Sequence, residues 1–223
     1  RKTMNSTALG LLMDHGADCS ITAISTMAYL QIVNPSLGWV SLAFVLLFMV
    51  FFIVTLEEYY FEALDFPIIN AVNEGTTSTF FILLLGVFLG NEVYQHELVF
   101  GLNVYQVIFI GLFALIVLQC LYIVIRLLVN FPAKDVLLKL SLFSFVCVSA
   151  FLVFFWTDNE ITTHRTKVPM YIYTILFSRV IISIMIAHIF KSNFDQFQVF
   201  PLLLSTIMIL LVLVEKFALD GKP

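Results

Sequence analysis

An all-α integral membrane protein with about seven transmembrane helices is the fold this sequence predicts, and three observations predict it. Hydrophobic residues make up 61% of the 223 positions and charged residues 12%, with a mean hydropathy of +1.03. A soluble domain is nearer about half apolar and about a quarter charged, so lipid must cover the surplus apolar surface. The apolar residues fall in continuous runs, where a strand barrel would show alternation. The breaks between runs carry turn chemistry and are too short for a soluble domain.

A bilayer span needs roughly 20 mostly apolar residues, and seven runs approach that length: 10–30, 37–56, 76–92, 105–128, 135–156, 170–190 and 198–217. The first ends at Asn34-Pro35-Ser36, where a proline cannot continue a helix. The second runs into the acidic pair Glu57-Glu58, and the third is the shortest. Asn103 precedes the fourth, and Asn130-Phe131-Pro132 separates it from the fifth. Thr157-Asp158-Asn159 closes the fifth and Ser192-Asn193 the sixth. No internal repeat or low-complexity linker interrupts the chain, so residues 1–223 read as one polytopic domain. It consists of a motif-bearing first helix within 1–30 and the remaining spans within 37–217.

Alternating spans put the loops on two sides. The side holding Arg1, side A, also has Lys2, Arg126, Lys134, Lys139 and Lys191; the other, side B, has Arg165, Lys167, Lys216 and Lys222. This bias favours side A as cytosolic. A net charge of -4 is too small to argue for a charged partner, and without basic runs or Gly-rich phosphate loops nucleic acid binding has no support. Cys19, Cys120 and Cys147 have no metal-ligand spacing and imply no disulfide framework. Trp39 and Trp156 stand at run ends, as interfacial anchors do. Arg179 falls within the sixth run, where it must face protein, a cavity or a partner charge.

Polar residues inside an apolar run call for a functional hypothesis. The first run opens Gly10-Leu11-Leu12-Met13-Asp14-His15-Gly16-Ala17-Asp18. Gly10, Asp14 and Asp18 are spaced by four and form one stripe on a helix. Two carboxylates one turn apart offer hard oxygen ligands to a divalent cation such as Mg²⁺, and the glycine leaves room for a bulky ligand. Spacing alone is equally consistent with two interfacial aspartates that end a helix in water. His188 by itself reads as a satisfied buried histidine.

The wider context resembles a known family. CDP-alcohol phosphotransferases carry D-x-x-D-G-x-x-A-R, eight residues, then G-x-x-x-D-x-x-x-D. Here Arg1, eight further residues, then Gly10, Asp14 and Asp18 match the second half in register. Leu9-Gly10 and Asp14-His15-Gly16-Ala17-Asp18 are similar to the choline and ethanolamine phosphotransferase branch. So, more loosely, are Glu57-Glu58-Tyr59 with Leu64, Pro67, Asn70, Glu74 and Gly75, and Ala187-His188 with Lys191-Ser192.

The resemblance implies transfer of phosphocholine or phosphoethanolamine from CDP-choline or CDP-ethanolamine to diacylglycerol, with release of CMP. It implies two Mg²⁺ (or Mn²⁺) ions, with Asp14 a metal ligand and Asp18 either a second-metal ligand or the base. His15 competes for the base role, although an ideal helix points it about 100° from the stripe. Arg1 would contact donor phosphate, Glu57 the cationic head group, and Gly10 and His188 would line the substrate site. About ten spans, a homodimer and the endoplasmic reticulum are also implied. The signature's first half would precede Arg1, so the expectation is a fragment with half a metal site, inactive alone, and about one further span beyond its carboxyl end. The alternative is a non-catalytic subunit of a larger membrane complex built on this fold, for instance in the mitochondrial inner membrane. Aspartates upstream of Arg1 would decide between the two.

Overall fold

The computed structural model describes residues 7–62, 71–156, 167–195 and 197–219. Seven helices form: α1 (Ala8–Val33), α2 (Leu37–Phe61), α3 (Ala71–Leu89), α4 (Val104–Asn130), α5 (Ala133–Trp156), α6 (Lys167–Ile189) and α7 (Val199–Leu219). Each corresponds to one apolar run. Four stretches, Gly38–Phe61, Val104–Asn130, Ala133–Phe154 and Val168–Ile189, are long and apolar enough to cross a bilayer on their own. Two more, Thr77–Leu89 and Val199–Val214, are apolar but shorter. α1 has the length, 26 residues, but dilutes its apolar side chains with Asp14, His15 and Asp18.

The helix ends follow the breaker residues. Thr7 caps α1, its hydroxyl oxygen accepting from the Gly10 N–H at 3.0 Å. α1 stops at Asn34 in the left-handed conformation, and Pro35 follows. Asn103 heads α4 in a capping box with Gln106.

α2 is the central post. It packs against α4, α5 and α6 and touches α1 and α3, and 67% of its most apolar stretch is buried, against 28% for α4. The core around it is aromatic: Phe48 stacks on Phe177 with ring centres 3.9 Å apart, and Phe52 on Phe143 at 4.0 Å. α4 exposes Ile110, Leu118, Leu121 and Ile125 to the surroundings of the bundle.

The connection between α3 and α4 holds structure that the runs did not announce. A 3₁₀ helix, Asn91–Gln95, is followed by a small antiparallel hairpin, β1 (Glu97–Val99) and β2 (Leu102–Asn103). Tyr94 of the 3₁₀ helix is fully buried, and its hydroxyl donates to the Ile82 carbonyl. Gly86 makes this possible, since a Cβ there would lie 3.0 Å from Tyr94 Oη and 3.2 Å from Ile32. Gln95 Nε2 donates to the Val33 carbonyl at 2.9 Å, tying the hairpin base to the end of α1.

Candidate functional site

Asp14, His15, Asp18, Glu57, Glu58 and His188 lie at one end of the bundle. Contacts between helix ends establish this: Glu57 of α2 meets Arg126 of α4, Glu58 meets His15 of α1, and Tyr60 meets Asp135 of α5. Tyr59 meets Ser192, just beyond α6. Side A of the alternating-span reading is therefore a physical surface.

α1 presents its stripe outward. Gly10, Asp14 and Asp18 are all exposed, as a spacing of four requires on a helix with one open face. Among the described residues neither aspartate makes a hydrogen bond or ion pair. The Cβ atoms of residues one turn apart lie about 5–6 Å from each other, near enough for both carboxylates to meet one charged ligand. A Cβ at Gly10 would meet Thr7 Oγ1 at 3.1 Å, so the glycine serves the helix cap as well as leaving the stripe open.

His15 turns away from the stripe, in the sense an ideal helix requires. Its Nε2 lies 3.2 Å from Glu58 Oε2, a charge contact between two largely buried side chains. Glu57 is more buried still, at 3% exposure. The Arg126 guanidinium donates to its Oε1 at 2.7 Å and lies over the Phe61 ring, 4.4 Å from its centre. The carboxylate assigned by resemblance to a head group is thus held by an internal cation.

His188, in the last turn of α6, lines a cleft of about 300 Å³ with Tyr59, Tyr60, Asp135, Lys139 and Lys191. Lys139 is buried and pairs with Asp135, and Tyr60 Oη donates to the other Asp135 oxygen at 2.7 Å. The same ammonium sits over the rings of Tyr59 and Tyr60, at 5.8 and 5.4 Å from their centres. Tyr59 Oη donates to the Ser192 carbonyl at 3.1 Å and accepts from the Phe194 N–H at 3.2 Å, which fixes the cleft's far wall. At the rim Lys191 meets Glu62 at 3.3 Å, both well exposed. Neither Asp14 nor Asp18 lines this cleft. Arg179 is exposed and lies over the Phe200 ring of α7 at 5.3 Å, and among the described residues it forms no ion pair with an acid. Arg1 lies outside the described residues.

Tyr60, Asp135 and Lys139 form a cluster that sequence reasoning did not assemble. The available signal was the concentration of basic residues at the side-A ends of the spans, opposite an acidic pair. As for metals, no group of three or more His, Cys, Asp or Glu side chains is placed to hold an ion among the described residues. Asp14 and Asp18 provide two hard oxygen donors, which in kind suit Mg²⁺ or Mn²⁺ and in number are part of an octahedral set.

No protein-family model matches the chain, and no solved structure matches it. The chain is similar to a curated protein of Dictyostelium discoideum described as an uncharacterized CDP-alcohol phosphatidyltransferase class-I family protein. The two are 22% identical over 239 aligned residues, covering 92% of this chain. The chain spans 60% of that relative's length. This likeness and the seven-helix membrane architecture support the resemblance to CDP-alcohol phosphatidyltransferases.

Proposed function

We propose that the protein contributes to the transfer of phosphocholine or phosphoethanolamine from CDP-choline or CDP-ethanolamine to diacylglycerol, with release of CMP. The observation that carries this is the exposed Gly10-Asp14-Asp18 stripe of α1, whose two carboxylates make no hydrogen bond or ion pair among the described residues, whereas Glu57 and Asp135 are held by Arg126 and Lys139. The branch of the family is read from Asp14-His15-Gly16-Ala17-Asp18 and from the Ala187-His188 segment.

In this reading Asp14 and Asp18 would hold Mg²⁺ or Mn²⁺, with further ligands from the donor diphosphate and from aspartates upstream of Arg1. When bound, such ions neutralise the diphosphate and stabilise charge on the departing CMP. The chain's own groups do the rest. Gly10 admits the donor against the backbone of α1. Asp18 or His15 takes the proton of the acceptor hydroxyl, whose oxygen bonds to the phosphorus bearing the aminoalcohol. The bond from that phosphorus to the bridging oxygen then breaks, and CMP leaves with the bridging oxygen and its electrons. Because the stripe lies at a helix end, the nucleotide enters from water while diacylglycerol arrives from lipid. A homodimer in the endoplasmic reticulum membrane belongs to the same proposal.

The test is CMP release by the complete protein from each CDP-aminoalcohol, with diacylglycerol vesicles and a Mg²⁺ titration. Activity that requires Mg²⁺ and vanishes in Asp14→Ala or Asp18→Ala supports the assignment. Unchanged turnover in either variant rejects it, and a complete protein inert toward both donors points to a structural subunit instead.

A further inference from the structure

We infer that the tip of the β1–β2 hairpin is a membrane wedge: Leu98, Val99 and Phe100 insert into the side-B leaflet, where a lipid acyl chain fills the groove between hairpin and α4.

The local geometry is the starting point. Val99 pairs with Leu102, so Phe100 and Gly101 alone make the turn, and both have positive φ, 55° and 75°. A two-residue turn with two left-handed positions favours Asn or Gly at its first site. Gly101 fits this rule. Phe100 does not, because its Cβ meets the carbonyl in this conformation and its ring is left almost wholly uncovered by the described residues. It is 96% exposed, the most exposed large apolar side chain among the described residues. Leu98 and Val99, on the strand leading to it, are also exposed. A bulky ring at a site that disfavours it, without packing among the described residues, calls for a partner beyond them.

The position of the tip says which partner. Val99, Phe100 and Leu102 line an apolar groove of about 260 Å³ whose other wall is Val107 and Ile110 of α4. The hairpin therefore folds back beside the first two turns of α4, within the span Val104–Asn130. Ile110 is 46% exposed and begins the outward strip that continues through Leu118, Leu121 and Ile125. What surrounds that strip is lipid, and the groove is continuous with it. The polar residues of the connection, Asn91, Glu92, Gln95 and His96, lie in the 3₁₀ helix and at the hairpin base, and Glu97 opens β1 with its carboxylate 3.8 Å from where a Gly101 Cβ would stand. The wet root therefore reaches up one side of the hairpin while Leu98, Val99 and Phe100 form its apolar edge.

The experiment places tryptophan at the tip. Phe100→Trp in the full-length protein, reconstituted into dioleoylphosphatidylcholine vesicles, is compared with the parent, whose own tryptophans, Trp39 and Trp156 among them, set the baseline. The expected result is added, blue-shifted emission, most of which is lost when acyl-brominated phosphatidylcholine replaces the plain lipid and which aqueous iodide leaves intact. Quenching by iodide without quenching by bromolipid puts the tip in water and overturns the wedge. Resistance to both means that protein covers the tip, which overturns it equally. Val99→Trp gives the same readout if Phe100→Trp does not reconstitute.

Discussion

Two pairs of acidic residues at the same end of the bundle have opposite fates. Glu57 and Glu58 are adjacent in sequence, so a helix turns them about 100° apart. Both are nevertheless buried, because α2 is surrounded by other helices, and each meets a cation or imidazole from a different neighbour. Asp14 and Asp18, one turn apart, share a single face of a helix that other elements cover less completely, and they stay exposed. A buried carboxylate without a partner costs several kcal/mol, so the sequence must supply partners for the first pair. No such requirement acts on the second, which is free to take a ligand. Acidity at a helix end is therefore uninformative until the neighbours are known.

Replacing Asp14 by Ala should have the largest effect. Turnover of the complete protein should fall by roughly a thousandfold or more, while the thermal midpoint in detergent stays where it was. Next comes Arg126→Met, which takes the guanidinium away from the buried Glu57 carboxylate and should lower unfolding free energy by about 3 kcal/mol. Adding Glu57→Leu to it should recover most of that loss in a double-mutant cycle, and failure to recover would show that Arg126 acts by packing on Phe61. Asp135→Asn tests an intermediate case, since the acid is partly exposed but its partner Lys139 is buried. A loss of about 2 kcal/mol in chemical denaturation is expected, from weakened charge-assisted bonds to Lys139 and Tyr60. Lys191→Ala should change stability by less than about 0.5 kcal/mol, because its pair with Glu62 is open to water at both ends. A larger drop there would erase the distinction between buried and exposed acids on which the comparison rests.

The helices were legible because a membrane span is written locally. Each of the seven runs became a helix, and Asn34-Pro35 and Asn130-Phe131-Pro132 ended helices where the residue chemistry says they must. The Gly10-Asp14-Asp18 stripe was legible for the same reason, since a period of four needs no tertiary information. The partners of the acids were not. Glu57 and Arg126 stand 69 residues apart, and Tyr60 and Asp135 stand 75 apart, with nothing local to link them. The hairpin escaped notice because its strands are too short for a periodic signal and its turn reads Phe-Gly where Asn-Gly would have announced it. Tyr94, in the break between the third and fourth runs, is a buried plug whose seat is a glycine on the preceding helix, a role that only the tertiary contact reveals.

The central position of α2 has a consequence for how this end of the molecule can change shape. Glu57, Glu58, Tyr59 and Tyr60 are four successive residues, and they engage α4, α1, the segment after α6, and α5 in turn. A slide of α2 by one residue would rotate all four by about 100° and unmake every engagement at once. The helix behaves as an indexing pin that sets the angular register of its neighbours. Any widening of the side-A cleft must then come from its perimeter, by release of the Ser192–Phe194 clasp, with α2 as the fixed reference.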